Sequence, residues 1–225
     1  MTTRWPRAVI FDLDGTLVDS APDIAEALNT AMAPLGAKAF DTAAVIKLIG
    51  GGAMAAIDKA LIAAEIEANP ETRRSILQRF MVAYTDVSAK GRGLFPGADD
   101  LLVSLIGDGI SCGICTNKAE DVAHVALKAL GIAHHFGSVV GASSRLPKKP
   151  DAAMLRANMA ELGVTAAECV FIGDSPADHG VARAAGVPVI LVDFGYTHTP
   201  VRDLGADVVV SHLREIRAAI GSLRR

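Results

Sequence analysis

Six short apolar runs rich in Val and Ile recur along the chain, at residues 8–11, 110–115, 138–140, 169–172, 187–192 and 208–210. Runs of this length without polar alternation suit strands buried on both faces of a sheet. Between them lie stretches of helical character at 119–130, 151–162 and 177–185. The first and third are followed by Gly131 and Gly186, the residue type that ends a helix in a left-handed conformation. Strand and helix in alternation predict an α/β fold with a parallel sheet. From about Ala21 to Lys90 the alternation stops, and an Ala-rich sequence without a convincing strand predicts an all-helical insertion. Gly91, Gly93 and Pro96 mark the return to the sheet-forming chain. Because ligands of open α/β sheets bind at the carboxyl ends of the strands, an insertion placed after the first strand is expected to cover such a site.

Composition narrows the class. The 225 residues are 51% hydrophobic and 21% charged, with only 4% aromatic, so packing rests on Ala, Val, Ile and Leu. A net charge of -3 and the lack of any long basic run give no bulk attraction to polyanions, and nucleic acid is not an expected partner. With no apolar stretch of membrane-spanning length and no signal-like segment, no membrane partner is expected and the expected location is the cytoplasm. Cys112 and Cys115 form a CxxC, but their odd separation within one strand points them to opposite faces, which favours two small buried hydrophobes over a redox or metal pair.

Chemistry concentrates at the strand ends. Asp12-Leu13-Asp14-Gly15-Thr16 puts two carboxylates and a glycine turn after the first strand. Two carboxylates about 4 Å apart repel by roughly 4 kcal/mol at an effective dielectric of 20, so a cation or a proton should accompany them. A calcium loop of the EF-hand kind fits poorly, since Leu17 stands at its glycine position and a strand precedes it. Thr116-Asn117-Lys118 offers a hydroxyl and main-chain amides, expected at a helix start, as an oxyanion cradle. Pro147-Lys148-Lys149-Pro150 brings an ammonium suited to a phosphoryl group, and Gly173-Asp174-Ser175-Pro176-Ala177-Asp178 adds two more carboxylates.

This set of strand ends, in this order, resembles the haloacid dehalogenase superfamily over the whole chain. The resemblance implies a Rossmann-like three-layer core formed by 1–15 and 93–225, with a helical cap domain at 16–92 hinged near both ends. It implies Asp12 as nucleophile and Asp14 as general acid and base, with Thr116 and Lys149 binding the transferred phosphoryl group. It further implies Mg²⁺ held by Asp12, the Asp14 carbonyl and Asp174, with Asp178 supporting the ion or Lys149. Asp at position 14 favours phosphoryl transfer over the dehalogenase and phosphonate-cleaving chemistries, whose enzymes lack this second acid. Ile24, where related sugar phosphomutases carry a histidine, weakens the mutase reading.

Within the superfamily the spellings DLDGTLVDSAPD, ICTNK, KKP, FIGDSPADHGVARAAG and FGYT resemble bacterial-type phosphoglycolate phosphatases. Ala152 and Gly51 depart from that pattern. The implied substrate is a small phosphorylated metabolite, 2-phosphoglycolate first, with pyrophosphate or a sugar phosphate as alternatives. A catalytically dead binding module would be expected to have lost one of the four key residues Asp12, Asp14, Lys149 or Asp174, and none is missing. In the cap, the glycine loop Gly50-Gly51-Gly52 is expected to reach the substrate through Gly51, and on the sheet side Asn117 is expected to bind substrate as well. Lys47 is expected to pair with a substrate carboxylate, Lys38 and Lys59 being rivals. The sequence carries no reading of oligomeric state.

Overall fold

The computed structural model describes residues 5–224. Six strands, β1 (Ala8–Phe11), β2 (Ser111–Ala119), β3 (Phe136–Ala142), β4 (Cys169–Gly173), β5 (Val189–Val192) and β6 (Val208–Val210), form one parallel sheet in the order β3-β2-β1-β4-β5-β6. The chain builds outward from β1 in one direction through β2 and β3, then returns to β1's other side to lay down β4 to β6. The order therefore reverses at β1 and β4, and a crevice opens at their carboxyl ends. Phe11 is in register with both Ile114 and Ile172, so the residues that follow these three strands emerge at one edge.

Helices α5 (Ala98–Gly107), α6 (Glu120–Ala129) and α9 (Ile216–Ser222) cover one face of the sheet, and α7 (Ala153–Leu162) and α8 (Pro176–Ala185) the other. Alternate strand residues feed the two layers. Val9 and Phe11 pack with Leu102, Leu105 and Leu127, whereas Ala8 and Ile10 pack with Met154, Leu155 and Val181. Cys112 and Cys115 follow the same parity into opposite layers as buried free thiols, each pushed up to about 12 by burial, which leaves them unreactive.

Two details differ from the sequence-based expectation. Strand β2 runs on to Ala119, and α6 starts only at Glu120, so Thr116, Asn117 and Lys118 are extended strand residues and not a helix start. A register shift against β3 between Cys115 and Ala119 accommodates this extension, which apolarity alone could not signal because the added residues are polar. Helix α7 begins at Ala153, two residues later than expected.

The insertion is helical: α1 (Ala21–Met32), α2 (Thr42–Ile46), α3 (Ala53–Ala63) and α4 (Pro70–Ser88). Asp41 and Asn69 cap α2 and α4 by accepting from the Ala44 and Thr72 amides. These helices enclose a separate apolar cluster that includes Leu28, Met32, Ile57, Leu61, Ile76 and Phe80. The two connections to the sheet run side by side. Val18 bridges Leu94 in antiparallel fashion, the Asp19 amide donates to the Gly93 carbonyl, and the Phe95 amide donates to the Leu17 carbonyl (2.9 Å). Among the described residues no helix is long and apolar enough to cross a membrane.

Gly93 is required at this crossing. Its φ is +91°, and a Cβ there would stand 2.5 Å from the Asp19 carbonyl oxygen. Gly93→Ala is expected to destabilise the protein by about 1–3 kcal/mol. Urea denaturation followed by circular dichroism measures the difference, and an unchanged midpoint contradicts the assignment.

Candidate active site

Asp12 leaves β1 with its amide donating to the Ile172 carbonyl (2.8 Å), which ties it to β4 across the crevice. The chain then folds back on itself. The amides of Leu17 and Val18 both donate to the Leu13 carbonyl (3.0 Å each), and the Gly15 amide donates to the Val18 carbonyl (2.8 Å). Gly15 sits at φ +87°, and a Cβ on it would stand 2.5 Å from Asp174 Oδ2. Glycine here lets the DxDGT turn close onto Asp174, whose Oδ2 also accepts from the Tyr196 amide (2.7 Å).

Lys149 is the cation at the centre. Its side chain is 2% exposed, and its Nζ lies 2.6 Å from Asp178 Oδ1 and 2.9 Å from Asp12 Oδ1. The first contact is a hydrogen bond. The second is a close ion pair, and apart from it Asp12 Oδ1 is buried without a hydrogen-bond partner among the described residues. Asn117 fixes the lysine's main chain from both sides, accepting from the Lys149 amide (2.9 Å) and donating to the Lys149 carbonyl (3.1 Å). Asn117 lines the cavity as expected, but its amide group is occupied in holding Lys149. Asp178 is fully committed as well. Its Oδ2 accepts from the Asp174 amide, the Ser175 amide and the Ser175 hydroxyl, in a capping box that starts α8.

Ligand oxygens of Asp12, Asp174 and Asp178 lie within 4.8 Å of one another, all buried. Burial raises the Asp12 carboxyl to about 6 against the pull of Lys149, with the charges of Asp178 and Asp14 adding to the rise. Burial likewise lifts Asp174 well above the carboxylate range, helped by Asp178 and Asp12. Burial works against the Lys149 ammonium, yet Asp12 and Asp178 outweigh it and hold it above the usual lysine range. Three buried carboxylates, Asp12, Asp174 and Asp178, around the ammonium of Lys149 leave a surplus of negative charge. Hard oxygen donors in such a field suit a divalent cation. With both Asp178 oxygens engaged, the groups open to it are Asp12 and Asp174, the latter keeping Oδ1 clear of hydrogen bonds among the described residues.

Asp14 faces the helical insertion and pairs with Lys118, whose Nζ is 3.1 Å from Asp14 Oδ1. The same ammonium donates to the Tyr84 hydroxyl and lies 3.9 Å from the centre of the Tyr84 ring, on α4. From the sequence, Lys118 is named only for its main-chain amide in the expected cradle, and Tyr84 is not named. Thr116 is buried on the floor, its hydroxyl accepting from the Lys118 amide (3.2 Å). All of these groups except Asp178 border one cavity of about 680 Å³ between sheet and insertion, walled on the insertion side mainly by Ile24, Met54, Phe80 and Tyr84.

Gly51 borders the cavity, within a loop whose three glycines all have positive φ. Lys47 does not. It is exposed at the end of α2 and off the cavity wall, because the loop after it turns its own backbone inward. Of its rivals, Lys38 is exposed elsewhere, and Lys59 braces the loop by donating to the Leu48 (3.2 Å) and Ile49 (3.4 Å) carbonyls.

The model of the family described as haloacid dehalogenase-like hydrolase matches residues 9–192. The chain belongs to this family. Among its relatives, the phosphoglycolate phosphatase of Rhodospirillum rubrum is 42% identical over 205 residues, covering 89% of this chain and 85% of that protein. The phosphoglycolate phosphatase of Caulobacter vibrioides is 36% identical over 211 residues, covering 94% and 89%. A crystal structure of a predicted phosphoglycolate phosphatase from Haemophilus somnus superposes with a TM-score of 0.89 at 27% identity, over 96% of this chain and 99% of that one.

Asp178 touches no cavity space, yet it orients Lys149. Asp178→Asn is expected to lower phosphatase kcat about 10–100-fold, as is usual for residues that orient a site's primary groups. Steady-state kinetics on an aryl phosphate, with circular dichroism to verify folding, checks this. A folded variant at the parent rate refutes the role.

Proposed function

We propose that this phosphoric monoester hydrolase converts 2-phosphoglycolate to glycolate and phosphate through an aspartyl-phosphate on Asp12, with Mg²⁺ as cofactor. The observation that carries the reading is the buried Asp12 carboxylate beside Lys149, with Asp14 on the insertion side of the same cavity. Mg²⁺ would be held by Asp12, Asp174 and the Asp14 main-chain carbonyl. When bound, it offsets negative charge on the phosphoryl oxygens.

In the first displacement an Asp12 oxygen forms a bond to phosphorus while the ester P–O bond breaks, and Asp14 gives its proton to the departing alkoxide. In the second, water attacks the aspartyl-phosphate, Asp14 takes the proton from that water, and the bond from phosphorus to Asp12 breaks. Lys149 and Thr116 steady the phosphoryl oxygens throughout, the first as a buried charge and the second as a hydroxyl whose own hydrogen is free to donate. Residues 16–92 act as a cap, hinged near both ends, that excludes water from the cavity during the first step.

The phosphoglycolate phosphatases among its relatives support phosphoglycolate as substrate. The cavity's volume favours a second reading, hydrolysis of a larger sugar phosphate, since about 680 Å³ exceeds what phosphoglycolate occupies. A screen of kcat/KM over phosphoglycolate, pyrophosphate and hexose phosphates in the presence of Mg²⁺ decides between them. Phosphoglycolate is expected to lead by at least ~10-fold, or about 1.4 kcal/mol of transition-state binding. A comparable lead for a sugar phosphate overturns the assignment.

Asp14→Asn separates the two steps, since an amide neither donates the first proton nor accepts the second. Nitrophenyl phosphate needs little acid help to depart, so phosphoenzyme is expected to accumulate on Asp12 in this variant. Intact-protein mass spectrometry after rapid mixing reads the adduct. A folded variant that turns over at the parent rate removes Asp14 from the mechanism.

A further inference from the structure

Lys118 is a buried cation with no part in the phosphoryl chemistry. Its side chain is 2% exposed, and it is held by Asp14 on the sheet side and Tyr84 on the insertion side. Lys149 is committed to Asp12 and Asp178. Lys148 is exposed at the rim, where its Nζ lies 2.8 Å from the place a Cβ on Gly52 would take. Of the lysines bordering the cavity, Lys118 alone is both desolvated and turned toward the leaving-group side.

We propose that Lys118, steadied by Tyr84, is the specificity-determining group that reads a carboxylate placed one carbon from the phosphoester oxygen. The inference rests on the phosphoglycolate reading above and adds the residue that enforces it. The geometry follows from covalent chemistry. An acid that protonates the leaving oxygen comes within about 3 Å of it. In a 2-phosphocarboxylate the carboxylate oxygens lie about 3 Å from that same leaving oxygen, across a single carbon. Lys118 Nζ, 3.1 Å from Asp14 Oδ1, therefore stands within reach of them. A substrate carboxylate replaces the Asp14 carboxylate as partner of the ammonium, with the Tyr84 hydroxyl as a second donor. Moving the carboxylate one methylene further out, or removing it, leaves the buried ammonium with Asp14 and Tyr84 as its partners. Discrimination is strong because the contact is made away from water.

The test compares kcat/KM for phosphoglycolate and for ethyl phosphate, which has the same skeleton without the carboxylate. In the parent enzyme the ratio is expected to favour phosphoglycolate by at least ~100-fold. In Lys118→Met the ratio is expected to collapse by at least ~10-fold, whatever loss the two substrates share. Lys118→Arg, which keeps the charge, should retain most of it. A Met variant that loses activity equally on both substrates shows that Lys118 only positions Asp14 and overturns the proposal. A collapse in Lys148→Ala with none in Lys118→Met overturns it in favour of the rim lysine. Should the Met variant fail to fold, Lys118→Gln, which keeps hydrogen bonds to Tyr84 and Asp14 without the charge, takes its place with the same two readings. A parent enzyme that does not prefer phosphoglycolate over ethyl phosphate fails the substrate assignment itself, a result visible before any variant is made.

Discussion

The site depends on one constraint, the concentration of ionised groups where β1 and β4 end side by side. Isolated charges cannot be buried there. An unpaired ion taken out of water costs several kcal/mol even after relaxation, so each carboxylate must have its partner fixed in advance. Lys149 meets this for Asp12 and Asp178 at once, and the capping box of α8 satisfies the remaining oxygen of Asp178. Much of the surrounding sequence serves that arrangement. Asn117 grips the Lys149 backbone, and Gly173 and Gly195 lack a Cβ because Asp178 and Asp174 pack into the space one would fill.

The same constraint makes the centre reactive. Charge pairing is complete enough to permit folding but leaves a surplus of negative charge, since three buried carboxylates, Asp12, Asp174 and Asp178, surround the ammonium of Lys149. A cavity that holds this surplus beside Asp12 suits the uptake of positive charge.

The sheet was legible in the sequence because strands buried on both faces leave continuous apolar runs, and the helical insertion because such runs are missing from it. Asp12, Asp14 and Lys149 were legible because acids and lysines at strand ends have few structural reasons to be there. What escaped shares one cause. Strand β2 continues through polar residues, so hydropathy could not follow it to Ala119, and with the strand's length went the position of Lys118. Tyr84 lies more than thirty residues before Lys118 on a helix whose periodicity reads as ordinary packing, and only the closing of α4 over the sheet brings the two together. Lys47 failed for the converse reason. Proximity in sequence to a glycine loop says nothing of which way a side chain points once three successive glycines adopt positive φ.

Tyr196 shows how the insertion and the charge centre are made to act together. Its amide donates to Asp174 Oδ2 (2.7 Å), while its hydroxyl donates to Asp19 Oδ1 (2.6 Å) and accepts from the Ala21 amide (2.9 Å) at the start of α1. One buried residue thus spans, by its main-chain amide and its side-chain hydroxyl, from a carboxylate of the charge centre to the residues at which the helical insertion begins. The second connection crosses the first at Gly93, hydrogen-bonded to Asp19. Tyr196 thus links the start of α1 to Asp174 through hydrogen bonds, and α4, which carries Tyr84, packs on α1. Asp174 and Asp14 therefore feel the position of the insertion from opposite sides of the cavity, one through Tyr196 and the other through Tyr84 and Lys118. The position of the insertion and the setting of the charge centre are consequently tied together, because the residues that link them are hydrogen-bonded to each other.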